Sequence, residues 1–131
     1  MRIQRSFMIT DDDCVKRSIC EDVDRLVEES IGDNHEARLL LKEAAANCML
    51  HSGGTRFTVT IDDESEHGPV IQVEDDGHGY DFEPTLERAR RGDVPEGDVT
   101  HGRGIFLIHH YTDGRMDILD RGRRIRFALA A

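Results

Sequence analysis

Cysteine, proline, aromatic residues and long apolar runs are all scarce in this chain of 131 residues, and each scarcity removes a class of protein. The three cysteines are odd in number and none stands in a C-x-x-C pair, so neither a disulfide framework nor a zinc site is encoded. They read as small buried apolar residues. No apolar run approaches the roughly 20 residues that cross a bilayer. The opening Met1-Arg2-Ile3-Gln4-Arg5-Ser6 lacks the apolar stretch of a secretory leader, so a cytoplasmic protein with no membrane contact is expected. Cations are also short: Lys and Arg number 17 against 27 acidic residues, a net charge of −10. Nucleic acid is therefore disfavoured as a direct partner, because phosphate contacts need clustered Lys and Arg. Two basic runs interrupt that balance, Arg88-Ala89-Arg90-Arg91 and Arg121-Gly122-Arg123-Arg124-Ile125-Arg126, and they read as solvated charges on a lid and on an edge strand. The seven histidines lack the paired ligand spacing of a metalloenzyme.

What is present suits one folded domain spanning 1–131, with no internal repeat, linker or low-complexity tract. Ile3, Phe7 and Ile9 alternate as in a strand, and Thr10-Asp11-Asp12-Asp13 is fit to cap a helix. Val15, Ile19, Val23, Leu26 and Val27 recur at helical steps up to a stop at Gly32. Asp33 or Asn34 can cap a second helix from about His35 to His51, ended by Ser52-Gly53-Gly54. Phe57, Val59 and Ile61, then Ile71 and Val73, alternate with polar residues and predict an antiparallel hairpin. The segment from Tyr80 to His101 holds two of the three prolines and reads as a mobile lid, with one short helical hint at Thr85 to Arg91. A third helix follows the Gly102–Gly104 turn, and Met116–Leu119 and Arg124–Leu129 close a last hairpin about Asp120-Arg121-Gly122. The order predicts a two-layer α/β (α+β) sandwich, three helices on one face of a mixed, mostly antiparallel sheet.

Three polar clusters carry the chemistry. Glu43, Asn47 and His51 step by about 40° around their helix, so they share one stripe that can face a pocket. Glu43 suits a catalytic base, Asn47 can give its carbonyl oxygen to Mg²⁺, and His51 suits the neighbourhood of phosphates. An ordinary polar helix face would supply the same residues. In Asp75-Asp76-Gly77-His78-Gly79 a carboxylate ends a buried-looking strand, where it can accept from an exocyclic amine such as that of adenine. A plain acidic turn is the alternative. Gly102-Arg103-Gly104-Ile105 sets glycines at a helix start, where free N–H groups favour anionic oxygens. It is neither a Rossmann fingerprint nor a Walker loop, and a tight lid-to-helix turn would also explain it.

In combination and in this order, the clusters resemble the histidine-kinase-like ATPase superfamily, and within it the small stand-alone anti-sigma factor serine/threonine kinases. The likeness spans nearly the whole chain. Glu43-Ala44-Ala45-Ala46-Asn47 through His51 is similar to the N-box, Asp75-Asp76-Gly77-His78-Gly79-Tyr80 to the G1 box, and Gly102-Arg103-Gly104-Ile105 to the G2 box. Three departures stand out: Cys48-Met49-Leu50 replaces the more usual small and basic residues, Ser52-Gly53-Gly54 follows His51 in place of an Ala-aromatic pair, and His78 stands where a proline is common. The resemblance implies a Bergerat-type ATP-binding fold using ATP and Mg²⁺. Asp75 would recognise adenine, Asn47 the metal, and Glu43 would be the base. His51, Gly77, Gly79, Gly102, Arg103, Gly104 and Ile105 would complete the nucleotide site. It further implies phosphorylation of a Ser or Thr on a small anti-sigma-factor antagonist, competition between that partner and a sigma factor, and a homodimer. The competing expectation is a nucleotide-gated binding module or accessory ATP-binding subunit without kinase activity.

Overall fold

The computed structural model describes residues 2–63, 66, 68–93 and 103–129. Its elements are β1 (Arg2–Met8), α1 (Asp13–Ile31), α2 (His35–His51), β2 (Arg56–Asp62), β3 (Val70–Asp75), α3 (Glu83–Arg90), α4 (Arg103–Tyr111), β4 (Met116–Leu119) and β5 (Arg124–Ala128). The five strands form one sheet in the order β1-β2-β3-β5-β4. Every pairing is antiparallel, so the layer expected to be mixed is antiparallel among the described residues.

Local chemistry sets both long helices. Asp12 caps α1 by accepting from the N–H groups of Cys14 and Val15 at 2.9 and 3.0 Å, and Gly32 ends it with φ +81°. Asn34 caps α2 through the N–H of Ala37 at 2.9 Å. Both bury an apolar stripe, Ile19, Val23, Leu26 and Val27 from α1 and Leu40, Leu41, Ala44 and Cys48 from α2. The stripes pack on Phe57, Val59, Ile61, Ile71, Val73, Ile125 and Phe127 of the sheet to form one core. The alternating strand positions, such as Thr58, Gln72, Glu74 and Arg124, lie on the opposite face.

Three expectations need correction. The described residues hold four α-helices, because the hint at Thr85 is a full element: α3 accepts Pro84 in its first turn, where no N–H is needed, and buries Leu86 and Ala89. Cys14 and Cys20 are exposed and only Cys48 is buried, since positions 14 and 20 fall off the apolar stripe of α1. The run from Arg124 to Arg126 is not on an edge strand, because β4 pairs outside β5 and the arginines instead meet Glu74 and Asp117 across the face.

Candidate functional site

The C-terminal half of α2, the exit of β3 and the start of β5 enclose a slot lined by Asn47, Cys48, Ser52, Asp75, Tyr80 and Arg123, among others. Asp75 stands at its floor as the last residue of β3. Its two oxygens differ. Oδ1 accepts from the Ser52 hydroxyl at 2.9 Å and from the Gly77 N–H at 2.8 Å. Among the described residues Oδ2 meets only the Cys48 thiol, at 3.8 Å. Oδ1 is thus committed to holding the carboxylate in place, while Oδ2 keeps lone-pair capacity for an outside donor. Burial, and then the Asp75 charge, push the Cys48 thiol far up, so Cys48 contributes a neutral wall.

The turn after Asp75 is shaped by contacts only glycine permits. A Cβ on Gly77 would lie 2.0 Å from the Ser52 carbonyl oxygen. Gly79 has φ +76°, and a Cβ there would lie 2.4 Å from the Arg121 carbonyl oxygen, the group that accepts from the Tyr80 N–H at 2.9 Å. Asp76 ties the turn to the start of β2: its carboxylate accepts from the hydroxyl and N–H of Thr55 and the N–H of Arg56 at 2.6 to 3.0 Å. These bonds, the Thr55 hydroxyl first, pull its pKa down to about 2. His78, found where proline is common, donates its N–H to the Ser52 carbonyl and lays its ring on Gly53.

Glu43 lies one helical turn, about 6 Å, along α2 from Asn47. Its carboxylate is 3.6 Å from the Arg103 guanidinium, and Gly104 approaches its backbone oxygen and side chain. The stripe on α2 therefore runs from the slot, at Asn47 and His51, to the start of α4, at Glu43.

Of the residues singled out from sequence, Asn47, His51, Asp75 and Gly79 line the slot. Gly77 braces Asp75 from behind, and Arg103 and Gly104 join Glu43. Ile105 is buried in the core, which leaves only its backbone for a ligand. Gly102 lies outside the described residues. Sequence reasoning missed Ser52 and Asp76 as the braces of this turn, and Tyr80, Val73 and Ile125 as slot lining. Ser52, directly after the α2 stripe, carried a usable signal: a helix ending beside a strand exit brings its last hydroxyl to that exit.

The arrangement offers a free carboxylate oxygen in an apolar-walled slot, an amide beside it, and a helix start with a cation one turn away. Such an arrangement can accept from a hydrogen-bond donor at one end and attract an anion at the other. No described helix is long and apolar enough to cross a membrane. No curated protein matches the chain. Residues 15–128 match the family described as histidine kinase-like ATPase domain, a span that takes in α2, the slot and α4. The chain belongs to the histidine kinase-like ATPase domain family.

Proposed function

We propose that the chain is an ATP-dependent serine/threonine protein kinase of the anti-sigma factor type. It would phosphorylate a small anti-sigma-factor antagonist and regulate a sigma factor by partner switching. One observation carries the nucleotide part: Asp75 Oδ2 keeps acceptor capacity inside the slot while Oδ1 is fully engaged. An exocyclic amine is the complementary donor, and Asn47 and Glu43 follow along α2 toward the α4 start, where phosphates gain free N–H groups and Arg103.

The residues fit Mg²⁺ only in company with the nucleotide. Among the described residues no three His, Cys, Asp or Glu side chains cluster for a metal, so Asn47 would add one carbonyl oxygen to an ion held mainly by phosphate and water. The ion would neutralise charge on the transferred group. Glu43 would take the proton of the acceptor hydroxyl as its oxygen bonds the γ-phosphorus and the bond from that phosphorus to the β-phosphate bridging oxygen breaks, releasing ADP.

One observation favours the second reading, a nucleotide-gated binding module without transfer: the Glu43 carboxylate lies 3.6 Å from the Arg103 guanidinium, a partner that an acceptor hydroxyl would have to share. Incubation with labelled ATP, Mg²⁺ and a small anti-sigma-factor antagonist separates the two. The kinase reading expects label on an antagonist Ser or Thr and a loss of at least about a hundredfold in Glu43→Gln, within the usual range for a general base. Tight ATP binding with no label on the partner contradicts it.

A further inference from the structure

The slot as folded holds about 10 Å³ of open space, room for a single water and not for a bicyclic base. Its walls differ greatly in how firmly they are held. Asn47 and Cys48 are fixed by α2, Val73 and Ile125 by paired strands, and Asp75 by Ser52 and the Gly77 N–H. The turn at Gly122 and Arg123 is tied on by the Arg123 carbonyl, which accepts from the Asp75 N–H at 2.9 Å.

Tyr80 is the exception. It lies between β3 and α3, outside any regular element, directly after Gly79 with its φ of +76°. Its backbone is anchored to Arg121, so the movable part is the side chain. The ring lies over Gly122: a Cβ there would meet ring carbons at 2.8 and 2.9 Å. The hydroxyl is buried and finds no hydrogen-bond partner among the described residues. Burial, with the nearby Cys48 and Asp75, pushes its pKa up to about 12, so it stays a neutral O–H. A buried hydroxyl without a partner destabilises the position it occupies.

We propose that Tyr80 is the admission residue of the purine slot: its ring occupies space the base must take, and the base enters only as that side chain turns out. This rests on the nucleotide reading above. The unpartnered hydroxyl keeps the inward position shallow, so displacement by a ligand that satisfies Asp75 is feasible. Apparent affinity falls by the fraction of molecules with the ring outward, and removing the ring lifts that penalty.

The test uses the full chain labelled with fluorotyrosine. Only two tyrosines are present, so Tyr111→Phe assigns the fluorine NMR signal of Tyr80. Calorimetry on the same sample reports nucleotide binding. Saturating Mg-ATP is expected to shift the Tyr80 signal and make it sensitive to a soluble paramagnetic quencher. In Tyr80→Ala, checked for folding by circular dichroism, a fluorescent ATP analogue is expected to associate at least about fivefold faster than with wild type. Tyr80→Phe keeps the ring and removes the unpartnered hydroxyl, so it is expected to bind ATP about five- to tenfold more weakly. ATP binding with the Tyr80 signal unmoved and association in Tyr80→Ala no faster overturns the admission role and leaves the nucleotide reading standing. No ATP binding by wild type or any variant overturns both.

Discussion

The Ser52 hydroxyl donates to Asp75 Oδ1 at 2.9 Å and accepts from the Gly54 N–H at 3.1 Å, so one side chain joins the end of α2 to the end of β3. Ser52 is buried. Ser52→Ala leaves both Asp75 Oδ1 and the Gly54 N–H short of a partner. The expected outcome is a loss of about 1–3 kcal/mol in urea unfolding. ATP affinity should fall as well, because Asp75 is then free to turn. Unchanged stability would show that the bond is incidental.

Asp76 gives a pH signature. Its folded pKa of about 2 lies below the ordinary 3.8, so the charged form is favoured by folding. The stabilisation is complete above 3.8 and is lost as the pH falls through about 2. Asp76→Asn has no charge to lose there. The melting-temperature gap between wild type and Asp76→Asn should therefore narrow as acid is added across that window, and a gap that is constant or widens contradicts the assignment.

Thiol reactivity should divide the cysteines. Cys14 and Cys20 are exposed on α1, whereas Cys48 is buried with a strongly raised pKa. Ellman's reagent at neutral pH is expected to titrate two thiols promptly and the third only on unfolding. Prompt reaction of all three would mean that the slot opens far more freely than its packing allows.

How much of this was legible in the sequence follows from the range of each interaction. The caps are legible to within the cluster Thr10–Asp13 and the pair Asp33 or Asn34, because a cap acts within three residues, and the structure selects Asp12 and Asn34. The stripe of Glu43, Asn47 and His51 was readable because helical geometry fixes their common direction. Ser52 and Asp75 are 23 positions apart, and no periodicity foretells that a helix end will meet a strand end. The brace from Asp76 to Thr55 and Arg56 likewise depends on the pairing of β2 with β3. Cys14 and Cys20 are exposed because position on the helix outranks the tendency of cysteine to be buried. The basic run at Arg124 was misplaced because strand order is not sequence order: β5 returns inside β4.

The most direct test of the nucleotide site is an isothermal titration of Mg-ATP into wild type and Asp75→Asn. The substitution keeps the shape of the side chain, and an amide can still accept from Ser52 and Gly77, so folding should survive. It replaces the charged acceptor at Oδ2 with an NH₂ that opposes an exocyclic amine or, if flipped, withdraws the brace. Wild type is expected to bind ATP, with affinity falling at least about tenfold in Asp75→Asn, the range for a hydrogen bond to a charged group. Equal affinity in the two proteins would contradict the placement of the base at Asp75.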